Sequence, residues 1–293
     1  MIKLNSFFKK LKVRKLSWID AVELLILCMI PVIAAPYYYK LIFFPTKELS
    51  DQSSVIQQIE QITHAKKVDI TIACPDGNRL NGWLFKLPNC KKVFLVSHGN
   101  AGNIANRIVT AFMLLKAGGS VLLYDYEGYG LSTGEPSIEV IKEDGKLAYD
   151  YLHNDQHFDG KDIIDYGESI GAAVAVDIAK HNPVGGLIIQ SGFTSLSDAI
   201  KDKLIFMRLY PPYVFSYVEL DNLTYLRGHH PPLLLIHGDH DTTLPIKYAE
   251  RNFAEASEPK RLFVIKGAGH DDVSFHDPKL FMDSVSAFVH GIH

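Results

Sequence analysis

From residue 93 onward the chain alternates between two kinds of segment. Short runs that are apolar almost throughout (VFLVS, SVLLY, DIIDYG, GGLIIQ, PPLLLIHG, RLFVI) are bounded by glycine, proline or polar residues. Between them lie longer stretches in which apolar residues recur every three or four positions: NIANRIVTAFMLLKAGG, SIEVIKEDGKLAYDYLH, SIGAAVAVDIAKHN, PIKYAERNFAEAS and DPKLFMDSVSAFVHG. The short runs predict strands buried on both faces, and the longer stretches predict helices. Buried strands alternating with helices predict an α/β fold, a mostly parallel central sheet with helices on both faces. In such sheets ligands bind beyond the carboxyl ends of the strands. Upstream, KKVDITIACPDGNRLNGWLFKL alternates, turns at Asp76-Gly77 and alternates again, which predicts a hairpin. Ser50 to His64 is polar and reads as a helix or linker.

One segment breaks this rhythm. Residues 196–227 hold Tyr210-Pro-Pro-Tyr213 and further aromatics between two strands. The stretch is too long for a plain crossover and predicts a small cap. Phe206, Tyr210, Tyr213, Phe215 and Tyr217 suit a lid over an apolar substrate. The alternative is a wandering surface connection.

The N-terminus differs again. MIKLNSFFKKLKVRK is basic without an acid, and Leu24 to Tyr39 carries no charge. With Lys40 snorkelling, Trp18 to Phe44 exceeds the ~20 apolar residues that a membrane span needs. Trp18 and Tyr37 to Tyr39 fall where interfacial aromatics belong. We therefore expect residues 1–44 to form a single-pass anchor helix and residues 45–293 a catalytic domain. The basic flank implies a cytoplasmic N-terminus, with the catalytic domain outside the cytoplasm. A signal peptide cleaved near Val32-Ile33-Ala34 is the alternative and would give a secreted or periplasmic protein. A buried amphipathic helix fits less well, because Leu24 to Ile33 is apolar all round.

Composition removes other classes. The chain has 293 residues, 47% hydrophobic and 22% charged, with a formal net charge of -3. That balance offers nothing to a nucleic acid. Cys28, Cys74 and Cys90 are too few for a disulfide framework, although Cys74 and Cys90 could pair. His153 and His157 stand four apart, but no third metal ligand accompanies them. No metal and no organic cofactor is implied. The oligomeric state is not legible.

The candidate chemistry lies at strand ends. Gly167-Glu168-Ser169-Ile170-Gly171 follows a strand and opens a helix, the context that makes G-x-S-x-G a nucleophile elbow. The Ile170 N–H would then point at the space that the Ser169 oxygen faces, aided by the helix dipole. A serine needs a base and an orienting acid, in the order Ser, acid, His for this arrangement. HGDHDTTLP supplies Asp239 and Asp241 after the next strand but one, and GAGHDD supplies His270 after the last. The three together in this order are far more specific than the five-residue motif alone.

These residues, with SHGNAGN and YDYEGYGLSTGEPS, resemble the α/β-hydrolase superfamily and within it the BEM46-like, membrane-anchored serine hydrolases. The resemblance runs from about Phe44 to the C-terminus. It implies an α/β-hydrolase fold with Ser169 as nucleophile, His270 as base and Asp241 as acid. The family pattern H-G-x-x-D falls on His237 to Asp241 and selects Asp241 over Asp239. It also implies that the N–H of Asn100 (or Ala101) joins Ile170 in an oxyanion hole, and that His98 is structural. Glu127 stands where the family usually has a basic residue. That departure would remove a positive charge near the rim of the site and undercuts a preference for anionic substrates. The implied activity is hydrolysis of carboxylic esters or thioesters of a lipid-like or acylated substrate. A serine peptidase of the prolyl-peptidase type and a non-catalytic binding scaffold are the alternatives.

Overall fold

The computed structural model describes residues 42–203 and 220–292. Residues 1–41 of the expected anchor helix and the five cap aromatics fall outside the described residues; Ile42 to Phe44, the expected end of that helix, are not helical, and Phe44 lies in a strand. No helix among the described residues is long and apolar enough to cross a membrane.

In chain order, β1 (Phe44–Pro45) precedes α1 (Ser53–Thr63), and the hairpin is β2 (Lys66–Ala73) and β3 (Arg79–Lys86). Then come β4 (Val93–Ser97), β5 (Ala101–Gly102), a 3-10 turn (Ile104–Arg107), α2 (Ile108–Lys116) and β6 (Ser120–Tyr124). They are followed by α3 (Ile138–Asp150), β7 (Ile163–Glu168), α4 (Gly171–His181), β8 (Gly186–Gln190), α5 (Leu196–Lys203) and α6 (Asn222–Leu226). The series ends with β9 (Leu233–Gly238), α7 (Lys247–Glu255), β10 (Lys260–Ile265), α8 (Val273–His276) and α9 (Pro278–His290).

One eight-stranded sheet has the order β10-β9-β8-β7-β4-β6-β3-β2. The strands from β10 to β6 run parallel, and β3 and β2 close one edge antiparallel. β4, β6, β7, β8 and β9 are buried at every position, which is why they read as unbroken apolar runs rather than alternating ones. Each buried strand still serves two cores. On one face Leu95 and Leu122 pack with Ile141 of α3 and Val174 and Ile178 of α4. On the other, Phe94 and Val121 pack with Leu114 of α2 and Phe281 and Val285 of α9. Each such side chain contributes about 1.5 to 3 kcal/mol on burial.

This topology brings the ends of β4, β7, β9 and β10 to one edge of the sheet. The sequence reading of the helices needs small amendments only. The stretch after Gly102 opens as a 3-10 turn before becoming α2, and α3 runs into a π-helical turn at Tyr151–Asp155. The His153 ring bonds to Phe158 O at 2.9 Å and stacks on Tyr149, a capping role for half of the pair weighed as metal ligands. Cys74 and Cys90 do not pair and are both free thiols.

Candidate active site

Ser169 sits between β7 and α4 with φ +56°, in the left-handed region that a residue bearing a Cβ adopts only where its surroundings enforce it. Two glycines make the turn possible. A Cβ on Gly171 would stand 2.0 Å from Ser97 O, and one on Gly167 would stand 2.3 Å from Gly171 O. The Ser169 N–H donates to Gln190 O of β8 at 2.9 Å, and Ser169 O accepts from Ala172 N at 3.1 Å. The turn is thus pinned to the sheet on one side and to α4 on the other. Ser169 is only 8% exposed.

His270, in the loop after β10, lies with Nε2 3.1 Å from Ser169 Oγ and Nδ1 2.7 Å from Asp241 Oδ2. Asp241 follows β9, and its other oxygen accepts the N–H groups of Thr243 and Leu244 at 2.8 and 2.7 Å. His237 Nε2 lies 3.3 Å from Oδ2. Burial alone would raise the Asp241 pKa, but the bonds from His237 and His270 outweigh it and hold the carboxyl well below the usual range. Burial likewise disfavours a charged His270, yet the bond to Asp241, its charge and those of Asp271 and Glu168 leave the imidazole pKa raised. Asp239, the other acid on this loop, accepts Gly267 N at 2.6 Å and stays outside the hydrogen-bonded chain.

The loop after β4 comes to the same place. Asn100 O accepts the Phe44 N–H at 2.8 Å and the Tyr129 hydroxyl at 2.7 Å. The Asn100 side chain donates to Ile42 O at 2.8 Å. A strap at 42–48 therefore runs along the loop, with β1 pairing β5 in parallel and Asn103 donating to Thr46 O and Glu48 O. Among the described residues, no backbone carbonyl accepts the N–H of Asn100 or of Ile170. A cavity of about 450 Å³ beside the loop is lined by Glu48, Asn106, Arg107, Glu168, Asp271 and Phe275.

Comparison with known proteins places this geometry. A family model described as serine aminopeptidase, S33 matches residues 88–217. An uncharacterized protein of Mycobacterium tuberculosis is 34% identical over 223 residues, 75% of this chain and 78% of its own. Alpha/beta hydrolase domain-containing protein 17B of Homo sapiens is 27% identical over 218 residues, 73% of this chain and 72% of its own. Among solved structures, a Pyrococcus furiosus esterase aligns with a TM-score of 0.66 at 20% identity, covering 85% of this chain and 97% of that one. The chain belongs to the α/β-hydrolase superfamily.

As an α/β hydrolase it keeps His270 within hydrogen-bond reach of both Ser169 and Asp241, each at the strand end where the sequence put it. His98 is structural in its setting. Its ring is buried against Tyr126 and Tyr129, Nδ1 bonds to Gly99 O, and burial with the Arg107 charge nearby pushes it down to about 3. The expectation for Glu127 needs correction. Its side chain is buried and accepts from Asn78 of the hairpin turn at 2.8 Å, and its N–H donates to Asp144 of α3 at 2.8 Å. It packs on the hairpin side of the sheet rather than at a rim over Ser169. Sequence reasoning missed Arg107 and the strap. A charged residue at the position before Ser169 was the available signal, since a buried Glu168 needs a cation.

Proposed function

We propose that this chain is a serine hydrolase that cleaves carboxylic ester or thioester bonds through an acyl-enzyme. His270 Nε2 takes the Ser169 proton as Oγ attacks the acyl carbonyl. The N–H groups of Ile170 and Asn100 (or Ala101) stabilise the oxyanion. The oxyanion collapses, the bond to the leaving alcohol or thiol breaks, and that group departs with the proton from His270. Water, deprotonated by His270, then releases the acid and restores Ser169. Asp241 fixes the tautomer with Nδ1–H donating to it and stabilises the imidazolium.

What carries this assignment is the unbroken chain Ser169–His270–Asp241 on a serine held at positive φ. A lipid-like or acylated substrate is supported by the apolar N-terminal segment, the aromatics of residues 196–227 and Phe44, which is 57% exposed on the strap. The apolar N-terminal segment supports a membrane anchor that ends before the strap at 42–48, and the aromatics support residues 196–227 as a cap on the catalytic domain that follows. A second reading, an aminopeptidase, draws on the family description and on Glu48 and Asp271 in the adjoining cavity, which suit a substrate ammonium.

The test is labelling of the full chain in membrane fractions with a fluorophosphonate, wild type against Ser169→Ala. It is followed by p-nitrophenyl esters of increasing chain length and amino-acid p-nitroanilides. Labelling that disappears in the variant, with turnover reduced by about 10⁴-fold or more, is the expected result. Preference for the anilides would move the assignment to the peptidase. Folded wild type that takes no label and turns over neither series would favour a binding scaffold.

A further inference from the structure

The loop Gly99–Asn103 is held from the outside by the strap. From the inside the Tyr129 hydroxyl holds Asn100 O, and a second side chain ties the loop to the nucleophile turn. Arg107 ends the 3-10 turn and caps α2, so its backbone is fixed by two helical elements. Nη1 donates to Ala101 O at 2.7 Å. Nη2 and Nε donate to Glu168 Oε1 and Oε2 at 2.7 and 3.3 Å. Glu168 is the residue immediately before Ser169. One guanidinium thus grips a carbonyl of the oxyanion loop and the carboxylate of the nucleophile turn. Both side chains of the pair are only 11% exposed. Gly99 makes room for it, since a Cβ there would stand 2.9 Å from Glu168 Oε1 and 3.2 Å from Arg107 Nη2.

We propose that Arg107 is a positioning residue that sets the spacing of the two oxyanion donors, one on each side of its grip. This rests on the hydrolase assignment above. Stability alone accounts poorly for the pair. Buried ion pairs add little net stability over apolar residues of the same size. The fork shape of arginine is what lets one group bond a carbonyl and both carboxylate oxygens at once, and a lysine point charge does not reproduce it. A displaced donor would weaken the transition state and leave ground-state binding alone.

The test uses the full chain with Arg107→Met, Arg107→Lys and the double variant Arg107→Met/Glu168→Met, which leaves no unpaired buried charge. Each is read for kcat and KM on p-nitrophenyl butyrate, affinity for an alkyl boronic acid that mimics the tetrahedral intermediate, and melting temperature. We expect Arg107→Met to lose about 10- to 100-fold in kcat, somewhat less than removal of a donor outright, with KM within about twofold. Boronate affinity should fall by the same factor as kcat/KM. The double variant should regain melting temperature and stay slow, and Arg107→Lys should recover only part of kcat. A folded double variant with wild-type kcat and boronate affinity overturns the proposal and assigns the pair to stability. Should Arg107→Met not fold, the Lys and double variants decide by the same readings. A wild type without Ser169-dependent turnover is a different failure, which removes the hydrolase assignment and this inference with it.

Discussion

Glu168 and Asp241, on the Ser169 side, are about as buried as Glu127 and Asp144 on the hairpin side of the sheet, yet the pKa values of the two pairs move in opposite directions. Exposure is 8% and 5% for the first pair and 5% and 1% for the second. Burial pushes all four carboxyls toward the neutral form, so burial does not explain the difference. Partners do. Glu168 lies against Arg107, whose charge and hydrogen bonds outweigh burial and lower its pKa. Asp241 has two histidines and two backbone N–H groups, with the same result. Asp144 accepts the Glu127 N–H, but its charged neighbours are Glu127, Asp76 and Glu143, and burial pushes it up to about 8. Glu127 is raised too, by burial and then by Asp76. Cys74 beside them is pushed up to about 12, so its thiol stays protonated and unreactive. Anionic charge persists where cations and N–H donors face it, and at those positions it orients His270. On the hairpin side, where acids face acids, both carboxyls have raised pKa values.

The largest break in that contrast comes from Asp241→Asn. The amide keeps the shape and removes the charge that raises the His270 pKa. By analogy with the same change in other serine hydrolases, kcat should fall by about 10³- to 10⁴-fold with KM little changed. The pH profile adds a check. Wild-type kcat/KM should fall on acidification through an apparent pKa above the ordinary histidine value of about 6.5, because the imidazolium below it is no base. In Asp241→Asn this acid limb should move to lower pH. Retention of more than a tenth of wild-type kcat, or an unmoved limb, would detach Asp241 from His270.

The contrast also explains what the sequence made legible. The parallel sheet was readable because β4, β6, β7 and β8 are buried at every position, and a strand of that kind has a composition that few helices share. Ser169, Asp241 and His270 were readable because each must follow a strand end, so strand prediction constrains them. Partners across the fold were not. Arg107 and Glu168 are 61 residues apart. Nothing local in NIANR announces a buried guanidinium. Glu127 was misplaced for the same reason, since its position after β6 suggested the site, whereas the partners of its side chain come from the hairpin turn and α3. The strap was invisible because β1 is two residues long and is defined by what it pairs with. Order along the chain encodes which edge a residue reaches, while the direction its side chain takes depends on contacts that the order does not carry.

Asp144→Asn gives the finer test, because it acts on stability rather than turnover. The sign follows from the raised pKa. The folded state holds a proton on Asp144 up to about pH 8, whereas the unfolded chain releases it near the model-peptide value of about 3.9. Stability from this group is complete below about pH 4 and is lost as pH rises toward the folded pKa. Wild type should therefore fall progressively behind Asp144→Asn from about pH 4 to pH 8, and the gap should level off above that. Linkage converts the rise from about 3.9 to about 8 into a difference of about 5 kcal/mol across the window. The Asn oxygen can still accept the Glu127 N–H, so the substitution tests charge with the hydrogen bond retained. Melting both proteins across that range measures it, with kcat at neutral pH as the control that should not change. A gap that stays constant with pH would mean that Asp144 ionises normally, and that neutral acids are not what distinguishes the hairpin side from the Ser169 side.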